Sequence, residues 1–333
     1  MRSCVHRLTK HVSHFVLHAL DYVIVLRPTL LFPVWTLVLL GYYHGSSETA
    51  YRVKIGLVHA ELPIHLQLNS QLLGTISLYS MLMGATYIVN QISDRETDEA
   101  NDKLYLVARG DVKLPILKLE VGLLLAASVA WAIAWFHDNP GYLILIAVSI
   151  VLGLIYSLKP LRLKGRPILD LLANAGGYGC IAVLVGWSTT AQIGIAAFAR
   201  TLPYVCCVGA AFINTTLPDL NGDSAYGDRT TGVLLGVRRS CQLSLLLIVA
   251  AILSAWWAGD VIALITGILC LPFFVYMNFV PTRPVIILTT RIGILILSLI
   301  TCIIVPPYLI LFGCTLLLVR WYYAVRFGIK YPF

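Results

Sequence analysis

Two short stretches of this chain place oxygen-bearing side chains at regular four-residue spacings. Asn90, Asp94 and Asp98 follow one another at the end of an apolar run, and in a helix this spacing puts all three on one face. Asp219 and Asp223 repeat the spacing at the end of a later apolar run. Mg²⁺ prefers oxygen ligands and often links a carboxylate to a substrate phosphate. The sequence therefore predicts a metal site built from these five residues.

Most of the acidic residues of the chain lie near these two stretches. Of 16 Asp and Glu residues in 333, six fall in 94–111 and three in 219–228. Ordinary solubilising charge would be spread over all the polar loops. We therefore expect both stretches to have a function, and we expect Glu99 to be solvated.

Basic residues in the connecting loops complement these carboxylates. Basic side chains and metal ions around a diphosphate would stabilise the charge on a leaving pyrophosphate. Lys159 is one such residue, and we assign it a catalytic role together with the four aspartates. The residues that we expect to bind substrate are Asn90, Lys103, Arg109, Arg162, Asn174 and Arg229.

The composition indicates a membrane protein. Hydrophobic residues make up 59% of the chain and charged residues only 12%, whereas soluble proteins carry roughly 25% charged residues. The apolar runs are continuous, which excludes the alternating pattern of a β-barrel and favours helices that satisfy their own backbone groups. The net charge of +8 fits basic loops facing an anionic leaflet, and nothing calls for nucleic acid.

Ten apolar runs of roughly 17–25 residues match the hydrocarbon thickness of a bilayer. We expect an all-α polytopic bundle of nine to ten transmembrane helices around a cytoplasm-facing central cavity. The first run spans about 22–43, residues 44–65 form a polar loop, and the seventh run begins at Cys241 after a polar loop over 221–239. One domain covers 22–326, between an interfacial N-terminal segment at 1–21 and a cytoplasmic tail at 327–333.

The orientation follows from the basic residues in short loops. Loops after runs two, four, six and eight carry Lys or Arg, and those after runs three, five, seven and nine carry essentially none. This predicts that both acidic stretches lie on the cytoplasmic side. The expected protein is an integral multi-pass protein of the plasma (inner) membrane, in contact with membrane lipids, with its active site facing the cytoplasm. On the residues alone, it ionises an allylic or other activated diphosphate inside the membrane.

Three motifs in this order are similar to those of the UbiA family of intramembrane prenyltransferases. They are N-x-x-x-D-x-x-x-D at 90–98, Y-S-x-x-P-L-R-L-K at 156–164 and D-x-x-x-D at 219–223. The resemblance covers about residues 22–280. It implies a helical bundle, usually of nine helices, whose two aspartate motifs bind a prenyl diphosphate through Mg²⁺, with Mn²⁺ as a possible substitute. Tyr156 and Lys159 resemble the family's loop positions that contact the diphosphate and position the reacting carbon.

The segments at 156–174 and 320–332 resemble the subgroup of lycopene elongases and chlorophyll synthase-like members, although Gln91 replaces the Asp that often follows the motif Asn. The resemblance implies transfer of a prenyl group from a polyprenyl diphosphate donor to a lipophilic acceptor, with release of pyrophosphate. An aromatic quinone precursor, a carotenoid, a chlorin and a phospholipid precursor all remain open as acceptors.

Two other functions remain open from the sequence. One is a transporter or lipid-binding protein that uses the same cavity without chemistry. The other is phosphoribosyl transfer to a polyprenyl phosphate, which is known in the same family. For Asp170 the simplest expectation is that it complements a helix N-terminus.

Overall fold

The computed structural model describes residues 17–46, 51–54, 61–64, 69–100, 106–220, 222 and 227–331. Lys103, Asp223 and residues 1–16 lie outside the described residues. Within them, ten helices are long and apolar enough to cross a membrane. The chain is therefore a helical multi-pass membrane protein, and the upper value of the predicted nine to ten helices is confirmed.

Short polar connections join the helices, which follow one another along the chain with few interruptions. Numbered in chain order, they are α1 (Leu31–Gly45), α2 (Ser70–Ser93), α3 (Arg95–Ala100), α4 (Leu114–Phe136), α5 (Pro140–Ser157), α6 (Leu169–Trp187), α7 (Ile195–Thr216), α8 (Thr231–Ala258), α9 (Val261–Phe279), α10 (Arg283–Ile304) and α11 (Pro307–Phe327). All but the short α3 belong to the ten spans.

The first span is interrupted near the end that we predicted to lie on the cytoplasmic side. Residues 17–24 are helical, a 3₁₀ turn forms at Pro28–Leu30, and α1 follows. Between them Arg27 has a left-handed backbone conformation, with φ 51° and ψ 63°. Arg27, at this break, lines the central cavity.

Glycines let α1 and α6 pack backbone against backbone. A Cβ atom at Gly41 would overlap the Val183 carbonyl, and one at Gly186 would overlap the Val38 carbonyl. Small residues at such crossings permit close van der Waals packing, which drives helix association in lipid. The contact fixes the C-terminal halves of two helices that also line the central cavity.

The predicted all-α fold class is confirmed, and the loop expected at 44–65 contains one small addition, an antiparallel hairpin of strands β1 (Tyr51–Lys54) and β2 (Glu61–Ile64). One sequence expectation was wrong. The helix expected at Cys241 begins ten residues earlier, as α8, where the Thr230 side chain accepts a hydrogen bond from the Val233 N–H. Two glycines and the pair Arg238–Arg239 separate its first turns from the apolar run, and Gly236, with φ 70°, bends the helix there.

A buried cluster joins three helices at the end of the bundle opposite the acidic motifs. His44 Nε2 lies 3.0 Å from Asp260 Oδ2 and 2.8 Å from the Tyr204 hydroxyl. Asp260 also caps α9 by accepting a hydrogen bond from the Ala263 N–H at 3.0 Å. Burial acts to raise the pKa of Asp260, but His44 and the Ala263 amide outweigh it, so this pKa lies below its usual value.

We expect Asp260→Asn to lower the free energy of unfolding by about 3 kcal/mol, because it leaves a buried pair broken. A depressed carboxyl pKa contributes stability that is complete above about pH 4 and is lost as the pH falls. Thermal melting of the detergent-solubilised protein should therefore drop more steeply below about pH 4 for wild type than for Asp260→Asn. Parallel pH profiles would contradict this role.

Candidate functional site

A central cavity of about 510 Å³ opens among the helices. Residues from α1, α2 and α5 to α10 line it, and most of them are apolar. Three residues predicted from sequence lie on its wall: Asn90, Tyr156 and Asn174. Among the described lining residues, only Arg27 carries a formal charge. The cavity can hold a long hydrocarbon group beside a few polar contacts.

Hydroxyl groups on the cavity wall are paired with one another across helices. The Tyr87 and Tyr178 hydroxyls lie 2.8 Å apart, and the Tyr79 hydroxyl lies 3.1 Å from Ser149 Oγ. A hydroxyl buried without a partner in an apolar site costs free energy. These pairs satisfy the four hydroxyl groups that form them and leave the cavity lining suited to an apolar occupant.

Asn90 ties the ends of α2 and α5 together beside the cavity. Its amide nitrogen donates to Ser157 Oγ at 3.2 Å, and the Ser93 hydroxyl donates to the Ser157 carbonyl at 2.8 Å. The neighbouring Tyr156 is hydrogen-bonded to Asn174 on α6. Three helices thus hold these polar residues at one end of the cavity.

The first acidic motif does not form one continuous helical face. Helix α2 ends at Ser93, and Asp94 leaves the helical conformation, with φ −102° and ψ 6°. The Asp94 carboxylate lies 2.5 Å from Lys164 Nζ, whereas Asp98, on α3, is buried and 4.0 Å from Arg27 Nη2. The predicted alignment of Asn90, Asp94 and Asp98 is therefore corrected: the break directs them to the cavity, the basic loop and Arg27.

The second acidic motif starts on a 3₁₀ turn that continues α7. This turn spans Leu217–Asp219, and Asp219 is half-buried at its end. Asp223 lies outside the described residues. Further along, Asp228 Oδ2 accepts a hydrogen bond from Arg162 Nη2 at 2.8 Å, and the same nitrogen lies 3.4 Å from Asp94 Oδ1. One guanidinium group thus links the two acidic regions.

The buried lysine of the loop between α5 and α6 is Lys164 and not Lys159. Lys164 is only 10% exposed in its side chain and contacts Asp94, whereas Lys159 is exposed and does not line the cavity. Burial lowers the pKa of the Lys164 ammonium group, and the Asp94 carboxylate opposes that shift. The catalytic role of Lys159 stays a prediction, and Lys164 is the better-placed cation.

The other basic residues predicted to bind substrate do not line the cavity. Arg109 is exposed, and its guanidinium carbon lies 5.4 Å from the centre of the Phe327 ring. Arg229 is also exposed, and its backbone N–H donates to the Gly165 carbonyl at 3.2 Å. Their contacts with substrate remain predictions.

Sequence reasoning missed three charged residues of this region: Arg27, Lys164 and Asp228. Asp228 stood within the second acidic window, and Lys164 stood in the basic loop, so both had a signal. Arg27 had none beyond its position before a proline, because its left-handed backbone is set by tertiary contacts. Among the described residues, which exclude Asp223, no three His, Cys, Asp or Glu side chains form a group that could hold a metal ion.

We expect Arg162→Gln to lower the free energy of unfolding by about 2 kcal/mol, because Asp94 and Asp228 lose the cation between them. Adding Asp228→Asn should restore part of that loss, so the two changes are not additive. Thermal melting of both variants and of the double variant measures this coupling.

Arg166→Gln is the matched control, since Arg166 is exposed and, within the described part of the chain, its guanidinium group donates only to the Pro160 carbonyl. It should melt close to wild type. If Arg162→Gln melts like this control, the guanidinium bridge contributes nothing.

Comparisons with known proteins agree with this geometry. The model of the UbiA prenyltransferase family matches residues 57–284, more than half of the chain. A probable homogentisate phytyltransferase 2, chloroplastic, from Oryza sativa subsp. japonica is 30% identical over 187 residues, which cover 54% of this chain and 49% of the relative. A lycopene elongase/hydratase from Haloferax volcanii is 30% identical over 170 residues, 46% of this chain and 49% of the relative. The chain thus spans about half the length of these relatives.

A solved structure shows the same fold. A UbiA homologue from Archaeoglobus fulgidus bound to GPP and Mg²⁺ superposes with a TM-score of 0.62 at 18% identity, covering 85% of this chain and 99% of that one. The family match, the aspartate motifs and the shared helical bundle lead to one conclusion. The chain is a multi-pass membrane protein that belongs to the UbiA prenyltransferase family.

Proposed function

We propose that this protein transfers a prenyl group from a polyprenyl diphosphate to a lipophilic acceptor within the membrane and releases pyrophosphate. The observation that carries the proposal is the cluster of Asp94, Arg162, Lys164 and Asp228 beside one end of an apolar cavity. A charged diphosphate and a hydrocarbon tail need these two environments in contact. The names of the two curated relatives, a phytyltransferase and an elongase, support the same reaction class.

The reaction breaks the bond between the first prenyl carbon and the diphosphate oxygen, and the electron pair leaves with pyrophosphate. The acceptor then forms a bond to the allylic cation and loses a proton. Arg27 and Lys164 are the cations best placed to take up charge on the leaving group. Apolar walls around the tail keep water from the cation.

The donor chemistry of the two motifs fits Mg²⁺. Asn90, Asp94, Asp98, Asp219 and Asp223 offer only oxygen ligands, which suit a hard cation; Mn²⁺ shares that preference. Asp94 and Asp228 already share one cation, the Arg162 guanidinium, so negative charge at this place requires compensation. When bound, the metal ion would supply positive charge to the diphosphate oxygens. A solved relative of this fold is bound to GPP and Mg²⁺.

Membranes containing the protein should convert labelled geranylgeranyl diphosphate and a suitable acceptor into a new lipid, with matching release of pyrophosphate. EDTA should stop the reaction, and Mg²⁺ should restore it. Asp94→Asn and Asp219→Asn should each reduce turnover about 10²–10³-fold, if one carboxylate stabilises the transition state by about 3–4 kcal/mol.

Each variant is purified in detergent, and turnover is compared on protein with a wild-type melting temperature. Glu99→Gln is the control, because Glu99 is exposed, and it should be nearly silent. Donor uptake without a product would favour a transporter or lipid-binding protein. A product formed only when phosphoribosyl diphosphate and a polyprenyl phosphate are supplied instead would favour phosphoribosyl transfer. If the well-folded Asp219→Asn variant keeps full turnover, the second acidic motif is not part of the catalytic site.

We place the site on the cytoplasmic side of the plasma (inner) membrane, because the loops around it carry the basic residues. A cysteine introduced at position 111, in a variant with the natural cysteines removed, should react with a membrane-impermeant reagent only after the cytoplasmic side is opened. Labelling from the outside of intact cells would show that the protein has the opposite orientation.

A further inference from the structure

A fully buried carboxylate, that of Asp170, lies at the start of α6 and does not line the cavity. It accepts hydrogen bonds from the backbone N–H of Leu171 at 2.8 Å and of Thr231 at 2.7 Å, and also from the Thr231 hydroxyl. Asp170 therefore satisfies the N-termini of two helices, α6 and α8. The sequence suggested only the first.

The Thr231 hydroxyl extends this contact to the preceding loop. It accepts a hydrogen bond from the Ile168 N–H at 2.8 Å. Ile168 has φ 71° and ψ −45°, a conformation that a β-branched residue rarely adopts. Such a strained conformation persists only where surrounding contacts hold the backbone in place. The bonds between Asp170, Thr231 and Ile168 supply that constraint.

The two segments joined in this way carry the charged groups of the proposed site. The loop at 158–168 carries Arg162 and Lys164, and Asp228 lies three residues before Thr231. The segments also touch near Gly165, where an added Cβ atom would lie 2.6 Å from Asp228 Oδ1. A shift of α8 against the loop would therefore change the positions of Arg162 and Asp228 together.

We propose that Asp170 is a positioning residue, which sets the register between the basic loop and the segment after the second acidic motif. It touches no substrate and acts through Thr231 and Ile168. This inference rests on the proposed function, because it assigns Asp170 to the affinity of that same site for the prenyl diphosphate. Removal of a hydrogen-bond partner that orients a metal ligand typically changes affinity or activity about 10–100-fold, and we expect an effect on the same scale here.

Asp170→Asn keeps the side-chain volume but turns an amide NH₂ toward the donors of Thr231. We expect the KM for geranylgeranyl diphosphate to rise about 10–100-fold, with a smaller change in kcat. Thr231→Val, which lacks the hydroxyl, should reproduce the effect, and Thr231→Ser, which keeps it, should stay close to wild type. The double variant Asp170→Asn/Thr231→Val should be no worse than the poorer single variant.

The matched control is Asp260→Asn, since Asp260 is also a buried aspartate that caps a helix, at the other end of the bundle. Both variants should lower the melting temperature, but only Asp170→Asn should change the KM. Equal KM changes in the two variants would show that destabilisation alone is responsible. A folded Asp170→Asn with the wild-type KM, or Thr231→Val with no effect, would overturn the proposal.

Hydrogen exchange supplies a readout that does not need the donor. Exchange in 158–168 and 227–231 should accelerate in Asp170→Asn and remain unchanged in Asp260→Asn. Unchanged exchange in Asp170→Asn overturns the positioning role. Wild-type protein that does not bind geranylgeranyl diphosphate but shows this exchange pattern would contradict the proposed function. It would still support the positioning role of Asp170.

Discussion

One guanidinium group, that of Arg162, stands between carboxylates from two distant parts of the chain. Asp94 follows α2, and Asp228 precedes α8, so their approach would be repulsive without a cation between them. Electrostatic repulsion is stronger near the low dielectric of the bilayer than in bulk water. The loop between α5 and α6 must therefore fold back over both helix ends, and the close contact at Gly165 and the Lys164–Asp94 pair follow from that requirement.

A second constraint comes from the hydrocarbon environment, which offers buried polar groups no water. The cavity wall meets this constraint by pairing hydroxyls from different helices, as in Thr36 and Ser298, 3.1 Å apart. Helix packing meets it with glycines that bring backbones together, since burial of apolar side chains gains little against lipid. The cavity can thus stay open and lipophilic without leaving its tyrosines unsatisfied.

The sequence predicted the fold class, the ten spans and three cavity residues because these depend on local patterns. Apolar run length determines a span, and polar residues at the end of a run point to the site. The break of the first motif at Asp94 was not visible, since a four-residue spacing shows which residues a helix would align and not where the helix ends. The positions of Arg27 and Lys164 beside the site depended on tertiary contacts that no spacing encodes.

The helix α6 is wound differently over part of its length. Ala175–Ala182 forms a π-helical stretch, in which each turn takes in more residues than in an α-helix. An extra residue rotates everything after it by about 100° relative to a regular helix. Asn174, just before this stretch, and Tyr178, within it, line the cavity, and Gly186, beyond its end, packs against α1. The wider turns therefore set the angle between the part of α6 that lines the cavity and the part that packs laterally.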